Sequence, residues 1–264
     1  MPKINVVIVS VVRDFDMYRN CILRNSNMSE SILKCFDNRE NNENIPVLYN
    51  RFLDSFNYEK SAWIMFCHED FELQEPIGKM LASVDKASIY GPIGGKLRSK
   101  RRWLLGGVWY GELKGTILES AKDGSELIRV GNGSATGTII DALDCQCVIV
   151  HSDLVRKYHL RFDEKLSFDL YAEDFCLGAY VNHHVLTRII SLKCHHHSHS
   201  KPLQRFFAQK AYLDAKYPTV EIQSTVGYTI GGGRTTLRRF QKRVRNVMDK
   251  RWPWLASLII KLLG

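Results

Sequence analysis

Residues 62–73, with the sequence AWIMFCHEDFEL, change from apolar to charged within a few positions, and the fold assignment depends on this change. The apolar run from Trp63 to Cys67 is too short for a membrane span and lacks helical spacing, so it predicts a buried β-strand. The run stops at His68-Glu69-Asp70, which are therefore expected at the carboxyl end of that strand. Open α/β sheets bind ligands at this edge. A carboxylate there can bind a divalent cation, and the cation can in turn bind a diphosphate. Taken alone, the triplet is better explained as a solvated acidic turn.

The rest of the chain alternates between strand-like and helical patterns. Apolar, β-branched segments predict strands, and the segments between them predict helices. This alternation is typical of an α/β fold with a mostly parallel central sheet flanked by helices. The predicted strands are residues 3–12, 31–36, 63–67, 87–95, 139–150 and 185–192. The predicted helices include residues 75–83, residues 153–158 and one that begins near Glu173-Asp174, where two acids also suit a helix start.

Length and composition predict one large domain with an appendage. The chain has 264 residues, of which 45% are hydrophobic and 25% charged. Residues 1–5 do not resemble a signal peptide. The seven cysteines lie mostly among apolar neighbours, which favours reduced thiols and a cytoplasmic location. We expect a globular domain over residues 1–232 and a separate tail over residues 233–264.

The net charge of +9 is concentrated at the carboxyl end of the chain. Residues 234–264 contain nine Lys and Arg against one acidic residue, Asp249, a net charge of +8 that leaves +1 for residues 1–233. Because residues 1–233 are nearly neutral, they are unlike an extended nucleic-acid-binding groove, and no nucleic-acid partner is predicted. The positive charge instead indicates that residues 233–264 have a binding partner of their own.

The tail has the pattern of a basic amphipathic helix followed by an apolar end. Apolar residues recur at intervals of three and four with Lys and Arg between them, and Pro253 interrupts the pattern. The apolar end is shorter than the ~20 residues of a membrane span, so the tail is predicted to lie on the cytoplasmic face of the membrane. The alternative is a helix docked on its own domain or on a second subunit. The recurring residues are Leu237, Phe240, Val244, Val247 and Met248.

Four histidines, at positions 195, 196, 197 and 199, follow the last predicted strand of the domain. No cysteine pair at zinc-finger spacing accompanies them. One histidine at the end of that strand is in a position to complete a cation site begun by Asp70. Imidazole together with carboxylate and phosphate oxygens suits Mn²⁺, and Mg²⁺ is also compatible.

Three nucleotide-binding patterns are absent from the sequence. No G-x-G-x-x-G follows the first strand, which argues against a dinucleotide dehydrogenase, and the glycines within residues 91–95 lack the spacing of a Walker loop. The residues after the first strand also lack the glycine-rich basic loop expected of a nucleotidyltransferase. Residues 98–103 form a basic loop that fits a solvated turn and a phosphate-facing role for Arg98 equally well.

Four features in this order resemble the family 2-like glycosyltransferases of the GT-A fold, which use nucleotide sugars. They are an all-apolar first strand, Asp37-Asn38 after the second strand, the acidic triplet at residues 68–70, and the segment YAEDFCL at residues 171–177. The segment FCHEDFE is similar to a bacterial subgroup in which histidine replaces the first Asp of the usual DxD motif. The resemblance covers about residues 4–200.

This resemblance implies roles for particular residues. Asp70 would ligate a divalent cation, Mn²⁺ or Mg²⁺, on the donor diphosphate, with His195 or His197 as a second protein ligand. Asp174 would be the general base, in preference to its neighbour Glu173. A histidine in place of a family carboxylate leaves the cation with fewer anionic ligands. The residues implied in binding the nucleotide sugar are Ser10, Arg13, Asp37, Asn38, His68, Glu69, Gly94, Arg98 and Asp144.

Together, the resemblance and the tail predict a metal-assisted, inverting glycosyltransferase. It would move a sugar from a UDP-linked donor to a lipid-linked glycan in bacterial lipopolysaccharide, O-antigen or capsule-type synthesis, as a peripheral protein at the inner face of the cell membrane. A single displacement needs one base, and a cation to stabilise the leaving diphosphate. The alternative is a catalytically inert α/β module that binds a membrane or nucleic acid, which predicts no binding of nucleoside diphosphates.

Overall fold

The computed structural model describes residues 4–97, 111–120, 127–197 and 204–232, together with residues 247–248, 251–252 and 254–255 of the tail. Within these ranges the chain forms a seven-stranded sheet and three smaller sheets, with helices packed against them. The strands are β1 (Val6–Val12), β2 (Ile32–Asp37), β3 (Trp63–Cys67), β4 (Phe71–Leu73), β5 (Ser88–Gly91), β6 (Ile93–Leu97), β7 (Gly111–Gly115), β8 (Ile117–Ser120), β9 (Leu127–Val130), β10 (Ile139–Ile140), β11 (Ala142–Leu143), β12 (Cys147–His151), β13 (Leu186–Ile189), β14 (Cys194–His196), β15 (Glu221–Gln223) and β16 (Thr229–Gly231). The helices are α1 (Phe15–Tyr18), which continues as a π-turn (Arg19–Leu23), a 3₁₀ turn (Ser26–Met28), α2 (Ile45–Ser55), α3 (Gly78–Leu81), α4 (Ser152–Tyr158), α5 (Tyr171–His183) and α6 (Gln204–Lys216).

The seven-stranded sheet has the strand order β10-β13-β5-β12-β3-β1-β2. β2 and β3 flank β1 and run parallel to it, and β13 runs parallel to β5. β12 lies between β3 and β5 and is antiparallel to both, while β10 is antiparallel to β13. The predicted α/β class is confirmed. The sheet is mixed, with β2, β1, β3, β5 and β13 pointing in one direction.

Two apolar cores lie on opposite faces of this sheet. Successive side chains of a strand point to opposite faces, so Val7 and Val9 of β1 pack with α2 and α5, whereas Val6 and Ile8 pack with the π-turn and the small sheet around β4. Because both faces are covered, β1 and β3 are buried throughout, are apolar apart from Ser10, and show no alternation in the sequence. All seven cysteines are free thiols.

A second sheet, with the order β4-β14-β8-β9, extends from the carboxyl end of β3. β14 pairs antiparallel with β4, which places His195 opposite Glu72 and His196 opposite Phe71, and it pairs in parallel with β8. β4 begins directly after the acidic triplet, and the backbone N–H of His197 donates to the carbonyl of Asp70. The histidine segment therefore lies against the predicted cation site.

Two of the predicted strands are wrong in detail. Residues 139–150 form three short strands, β10, β11 and β12, because Asp141 and Asp144 accept backbone N–H groups at the breaks. Leu97 donates to Asp141 over 2.6 Å, and Gln146 donates to Asp144 over 3.1 Å. Residues 87–95 divide at Pro92 into β5 and β6, which belong to different sheets. Proline lacks the N–H that a continuous strand would use there.

The predicted tail lies mostly outside the described residues. Of the six tail residues that are described, the side chains of Trp252 and Trp254 are exposed, at 47% and 66%. Among all described residues, no helix combines the length and the hydropathy that crossing a membrane requires. The boundary between residues 232 and 233 stays a prediction.

Candidate functional site

The carboxyl ends of β1, β2 and β3 open into a cavity of about 440 Å³. Because these strands are parallel, the residues that follow them reach the same edge of the sheet. The facing wall comes from the start of α2 and from the segments that precede α5 and begin α6. The lining residues are Val11, Arg13, Asn38, Asn42, Glu43, Asn44, Ile45, His68, Glu69, Asp70, Ser167, Phe168 and Arg205.

Glu69 joins two strand ends. Its carboxylate accepts the backbone N–H groups of Arg13 and, over 3.0 Å, of Asp14, an arrangement called here the Glu69 clasp. Burial raises the pKa of Glu69, although both hydrogen bonds act to lower it. The guanidinium of Arg13 donates to Asn42 on the far side of the cavity. Glu69 thus lines the cavity, with its carboxylate engaged by the protein backbone.

Asp70 forms a compact group with two histidines. Its Oδ1 lies 3.3 Å from Nε2 of His196 and 4.0 Å from Nδ1 of His68. The contacts lack hydrogen-bond geometry: among the described residues, Oδ1 of Asp70 and both ring nitrogens of His196 are buried without a hydrogen-bond partner. Buried polar atoms left in this state are costly. A carboxylate and two imidazoles that face one another are a donor set suited to a divalent cation.

The pKa values of this group follow from burial and mutual attraction. Burial alone would raise the pKa of Asp70, but His196 and His68 lower it to about 2. Burial alone would lower the pKa of His196, but Asp70 and Glu119 raise it to about 9. Without a cation, the pair is therefore a carboxylate beside an imidazolium at neutral pH. A cation that binds here has to displace the proton of His196.

The tautomer of His68 is set by Tyr171. The hydroxyl of Tyr171 donates its single hydrogen to the carbonyl of Cys145 over 2.6 Å. Nε2 of His68, 3.0 Å from the same hydroxyl oxygen, must then be the donor in that contact. In the neutral ring this assignment puts the lone pair on Nδ1, on the side of Asp70. A second partner that orients the ring in this way is typical of metal-binding histidines.

The predicted ligand set of Asp70 with His195 or His197 requires a correction. Side chains alternate along β14, so His196 points towards Asp70 while His195 and His197 point to the opposite face. There, both rings lie beside Glu72. The histidine that the structure brings to Asp70 is His196, which the sequence prediction left out.

The acidic pair at the start of α5 is divided between two environments. Asp174 is buried, and its Oδ1 accepts from Nζ of Lys216 over 2.7 Å and from the hydroxyl of Tyr217 over 2.9 Å. Glu173 is buried on another side of the helix, where its Oε2 accepts from the thiol of Cys145 over 3.4 Å. Burial, followed by the charge of Asp144, raises the pKa of Glu173 to about 8. The charge of Asp144 also acts on His196. Neither Glu173 nor Asp174 lines the cavity.

The other predicted donor residues have structural partners. Asn38 lines the cavity, and its amide group exchanges hydrogen bonds with the backbone of Glu43. Ser10 is buried beside Cys67, whereas Asp37 is half exposed and paired with Arg39. Neither lines the cavity. Arg98 lies outside the described residues.

Gly94 serves strand packing. A Cβ at this position would lie 2.3 Å from the carbonyl oxygen of Ala142, because β6 and β11 pair closely there. Asp144, at the turn after β11, accepts from the hydroxyl of Thr225. Its carboxylate contributes charge to the group around His196 but does not line the cavity.

Several residues of the site were not singled out from the sequence. Asn42, Phe168 and Arg205 line the cavity, and Tyr171 orients His68. The guanidinium of Arg205 stacks on Phe168 at 4.9 Å and donates to Asp169. The alternation of side chains along a strand would have separated His196 from its neighbours. Asn42 and Phe168 come from loops, and Tyr171 and Arg205 come from the first turns of α5 and α6. No sequence pattern connected these residues with the site.

Comparison with known proteins gives distant structural likenesses only. No family model and no curated protein matches the chain. Among solved structures, residues 1–349 of S. aureus TarS align with a TM-score of 0.46 and 12% identity over 83% of this chain and 67% of that one. The same region of TarS in complex with UDP gives a TM-score of 0.44 and 9% identity. GalNAc-T7 with UDP, GalNAc and Mn²⁺ gives 0.46 and 8% identity over 97% of this chain and 58% of that one. At these scores we assign no family, and the function is inferred below from the site itself.

Proposed function

We propose that the chain is a metal-dependent glycosyltransferase that uses a nucleoside diphosphate sugar as donor. The observation that supports this most is the group of His68, Asp70 and His196 at one end of a cavity formed by three parallel strand ends. A cation site next to a cavity at this edge of a sheet suits a ligand that carries a diphosphate. The cavity volume of about 440 Å³ lies within the range of small-molecule sites.

The cavity also contains groups suited to the two phosphates and the nucleoside. Arg13 and Arg205 supply positive charge on opposite walls. The start of α2 adds little to this charge, because Pro46 has no N–H and Val47 donates its N–H to the carbonyl of Asn44. Asn42 and Asn38 also line the cavity, with Asn38 held by the backbone of Glu43 and the amide oxygen of Asn42 accepting from Arg13. For the base we propose uracil, in keeping with the UDP-linked donor predicted from the sequence.

Asp70, His196 and His68 would hold the cation through Oδ1, a ring nitrogen and Nδ1. The buried polar atoms without partners in this group support the assignment. Mn²⁺ or Mg²⁺ bound here would neutralise the charge that develops on the leaving diphosphate. Two imidazoles favour Mn²⁺ over Mg²⁺, because Mg²⁺ prefers oxygen ligands.

For the transfer step we propose Glu173 as the general base in place of Asp174. The acceptor hydroxyl oxygen attacks the anomeric carbon and loses its proton to the base. The bond from that carbon to the diphosphate breaks on the opposite face, so the anomeric configuration inverts. Glu173 has its pKa raised to about 8, and among the side chains of the described residues its carboxylate accepts only from the thiol of Cys145. The Asp174 carboxylate instead accepts from Lys216 and Tyr217.

Binding of nucleoside diphosphates in the presence of Mn²⁺ tests the proposed donor. At a UDP concentration of about 100 times the Kd, the folded state should gain about 2.7 kcal/mol. For a chain of this size that corresponds to a rise in Tm of about 5–10 °C. The measurement is a thermal melt with UDP, GDP, CDP or dTDP, with and without Mn²⁺. No rise with any of them would contradict the proposal and favour an inert module.

Asp54→Asn is the matched control for this melt, because Asp54 is an exposed aspartate paired with Arg161 away from the cavity. Its UDP-dependent rise in Tm should equal that of the wild type. Asp70→Asn should lose the part of the rise that depends on Mn²⁺. An equal loss in both variants would contradict the location of the site.

We further propose that the acceptor is a lipid-linked glycan and that the protein works peripherally at the cytoplasmic face of a bacterial membrane. The support is the +8 charge of residues 234–264 and the apolar residues spaced between the basic ones. The full chain should co-sediment with vesicles that contain anionic lipid and much less with purely zwitterionic vesicles. Raising the salt concentration should weaken the binding. Equal binding to both kinds of vesicle, or to neither, would contradict the role of the tail.

A further inference from the structure

A second cluster of metal-type ligands lies on the other face of the strand that carries His196. Oε2 of Glu72 lies 2.8 Å from Nε2 of His197 and 3.8 Å from Nδ1 of His195. The ligand atoms of the three residues all lie within 4.8 Å of one another. The two imidazole rings are 3.6 Å apart between centroids. The three donors thus converge on one small region.

The fold explains why these three residues meet. His195 is directly opposite Glu72 in the antiparallel pair of β14 and β4. His197 lies two residues further along the chain, on the same face as His195. The intervening His196 faces Asp70. The cluster is therefore separated by the sheet from the site of the proposed function.

The surroundings of the cluster match those of a ligand set. Nε2 of His195, the nitrogen that points away from Glu72, lies 3.1 Å from the hydroxyl of Ser120 on β8. A hydrogen bond to the outer ring nitrogen commonly orients a metal-binding histidine. The Glu72 and His197 side chains are 37% and 28% exposed, so an ion has access from solvent. His195 is nearly buried, which fixes one side of the site.

A simple ion pair accounts for less of this geometry. A hydrogen bond between His197 and Glu72 explains the 2.8 Å contact. It leaves Nδ1 of His195, which the strand register places beside the same carboxylate oxygen, at 3.8 Å and beyond hydrogen-bond range. Two protonated rings at this separation would repel each other. A divalent cation between two neutral rings and a carboxylate satisfies all three groups.

We propose that Glu72, His195 and His197 form a zinc site, distinct from the Asp70 group and independent of the proposed glycosyltransferase activity. Two imidazoles and one carboxylate are a common protein ligand set for Zn²⁺, with water at the fourth position. The same set is unsuited to Mg²⁺ and Ca²⁺, which take oxygen ligands. The ion would tie β14 to β4 at the surface.

The test uses the full chain with Asp70→Asn and His196→Gln, so that the other group no longer competes for metal. After treatment with chelator, this chain should bind Zn²⁺ by calorimetry, and Co²⁺ should give the visible absorption of a four-coordinate site. Adding Glu72→Gln or His197→Gln should weaken Zn²⁺ binding by at least ~100-fold. This is more than the loss of affinity expected for a residue that only hydrogen-bonds to a metal ligand. Adding Ser120→Ala should weaken it by about 10–100-fold.

His184→Asn is the control. His184 is an exposed histidine at the end of α5, and asparagine tolerates the left-handed backbone conformation of this position. Zn²⁺ affinity should be unchanged in this variant. Unchanged affinity in Glu72→Gln and His197→Gln, or no Zn²⁺ binding by the Asp70→Asn, His196→Gln chain, would overturn the proposal. Circular dichroism confirms that each variant is folded, and if Glu72→Gln does not fold, His197→Gln and Ser120→Ala decide the outcome.

Discussion

Replacing Asp70 by asparagine is expected to lower the rate of sugar transfer by about 10²–10³-fold. The carboxylate of Asp70 is the anionic member of the group that it forms with His68 and His196. Asparagine keeps the shape but lacks the charge, so the cation would be held weakly and the departing diphosphate would be less stabilised. Part of the lost rate should return at high Mn²⁺ concentration, because weak cation binding is then overcome by mass action.

The measurement is the transfer, or the slow hydrolysis, of a nucleotide sugar with and without chelator. Asp54→Asn again serves as the control and should retain the activity of the wild type. Full activity of Asp70→Asn, or activity of the wild type that chelator leaves unchanged, would contradict the assignment of the cation site.

The same substitution should also change how the stability of the metal-free protein depends on pH. The lowered pKa of Asp70 stabilises the fold above the ordinary value near 3.8, and this contribution is lost as the pH falls through about 2. The raised pKa of His196 stabilises the fold below the ordinary value near 6.5, and this contribution is lost as the pH rises through about 9. Wild type and Asp70→Asn should therefore differ most in unfolding free energy between about pH 4 and 6.5. Urea denaturation at pH 5.5 and 9.5 tests this, and an equal difference at both pH values would contradict it.

The second large effect concerns the two acids at the start of α5. Glu173→Gln should lower the rate of transfer by about 10²–10⁴-fold with little loss of donor binding, because glutamine cannot accept the proton of the acceptor hydroxyl. In the wild type, activity should rise with pH up to about 8, as Glu173 loses its proton. This acidic limb of the pH profile should be absent from the residual activity of Glu173→Gln.

Asp174→Asn is the matched comparison on the same helix. It removes the charge that Lys216 and Tyr217 contact, so it should destabilise the protein by about 1–3 kcal/mol in urea denaturation. The rate of transfer by the folded fraction should stay within a few-fold of the wild type. A folded Asp174→Asn that is inactive beside an active Glu173→Gln would reverse the assignment and restore Asp174 as the base.

Much of the first half of the fold could be predicted from local patterns. β1 and β3 are apolar apart from Ser10 because the sheet is covered on both faces, and the charged triplet marks where β3 ends. The position of Asp70 at the edge of the sheet follows from the same boundary. These inferences need only the neighbouring residues and the rule that parallel strands bind ligands at their carboxyl ends.

The pairing of site residues from distant segments could not be predicted in the same way. Whether His195 or His196 faces Asp70 depends on the register of β14 against β4, which differs by one residue between the two alternatives. Likewise, neighbouring residues on a helix point about 100° apart, so the choice between Glu173 and Asp174 depends on how α5 is rotated on the sheet. Lys216 and Tyr217, which engage Asp174, lie more than forty residues away in the sequence.

The Glu69 clasp links the backbone at Arg13 to the proposed cation site at Asp70. Its carboxylate fixes the backbone of Arg13 and Asp14 to the residue that immediately precedes Asp70. A movement of Asp70 towards a bound cation would therefore shift Arg13 as well. Donor binding and cation binding should then be coupled, and by reciprocity each should change the affinity of the other by the same factor.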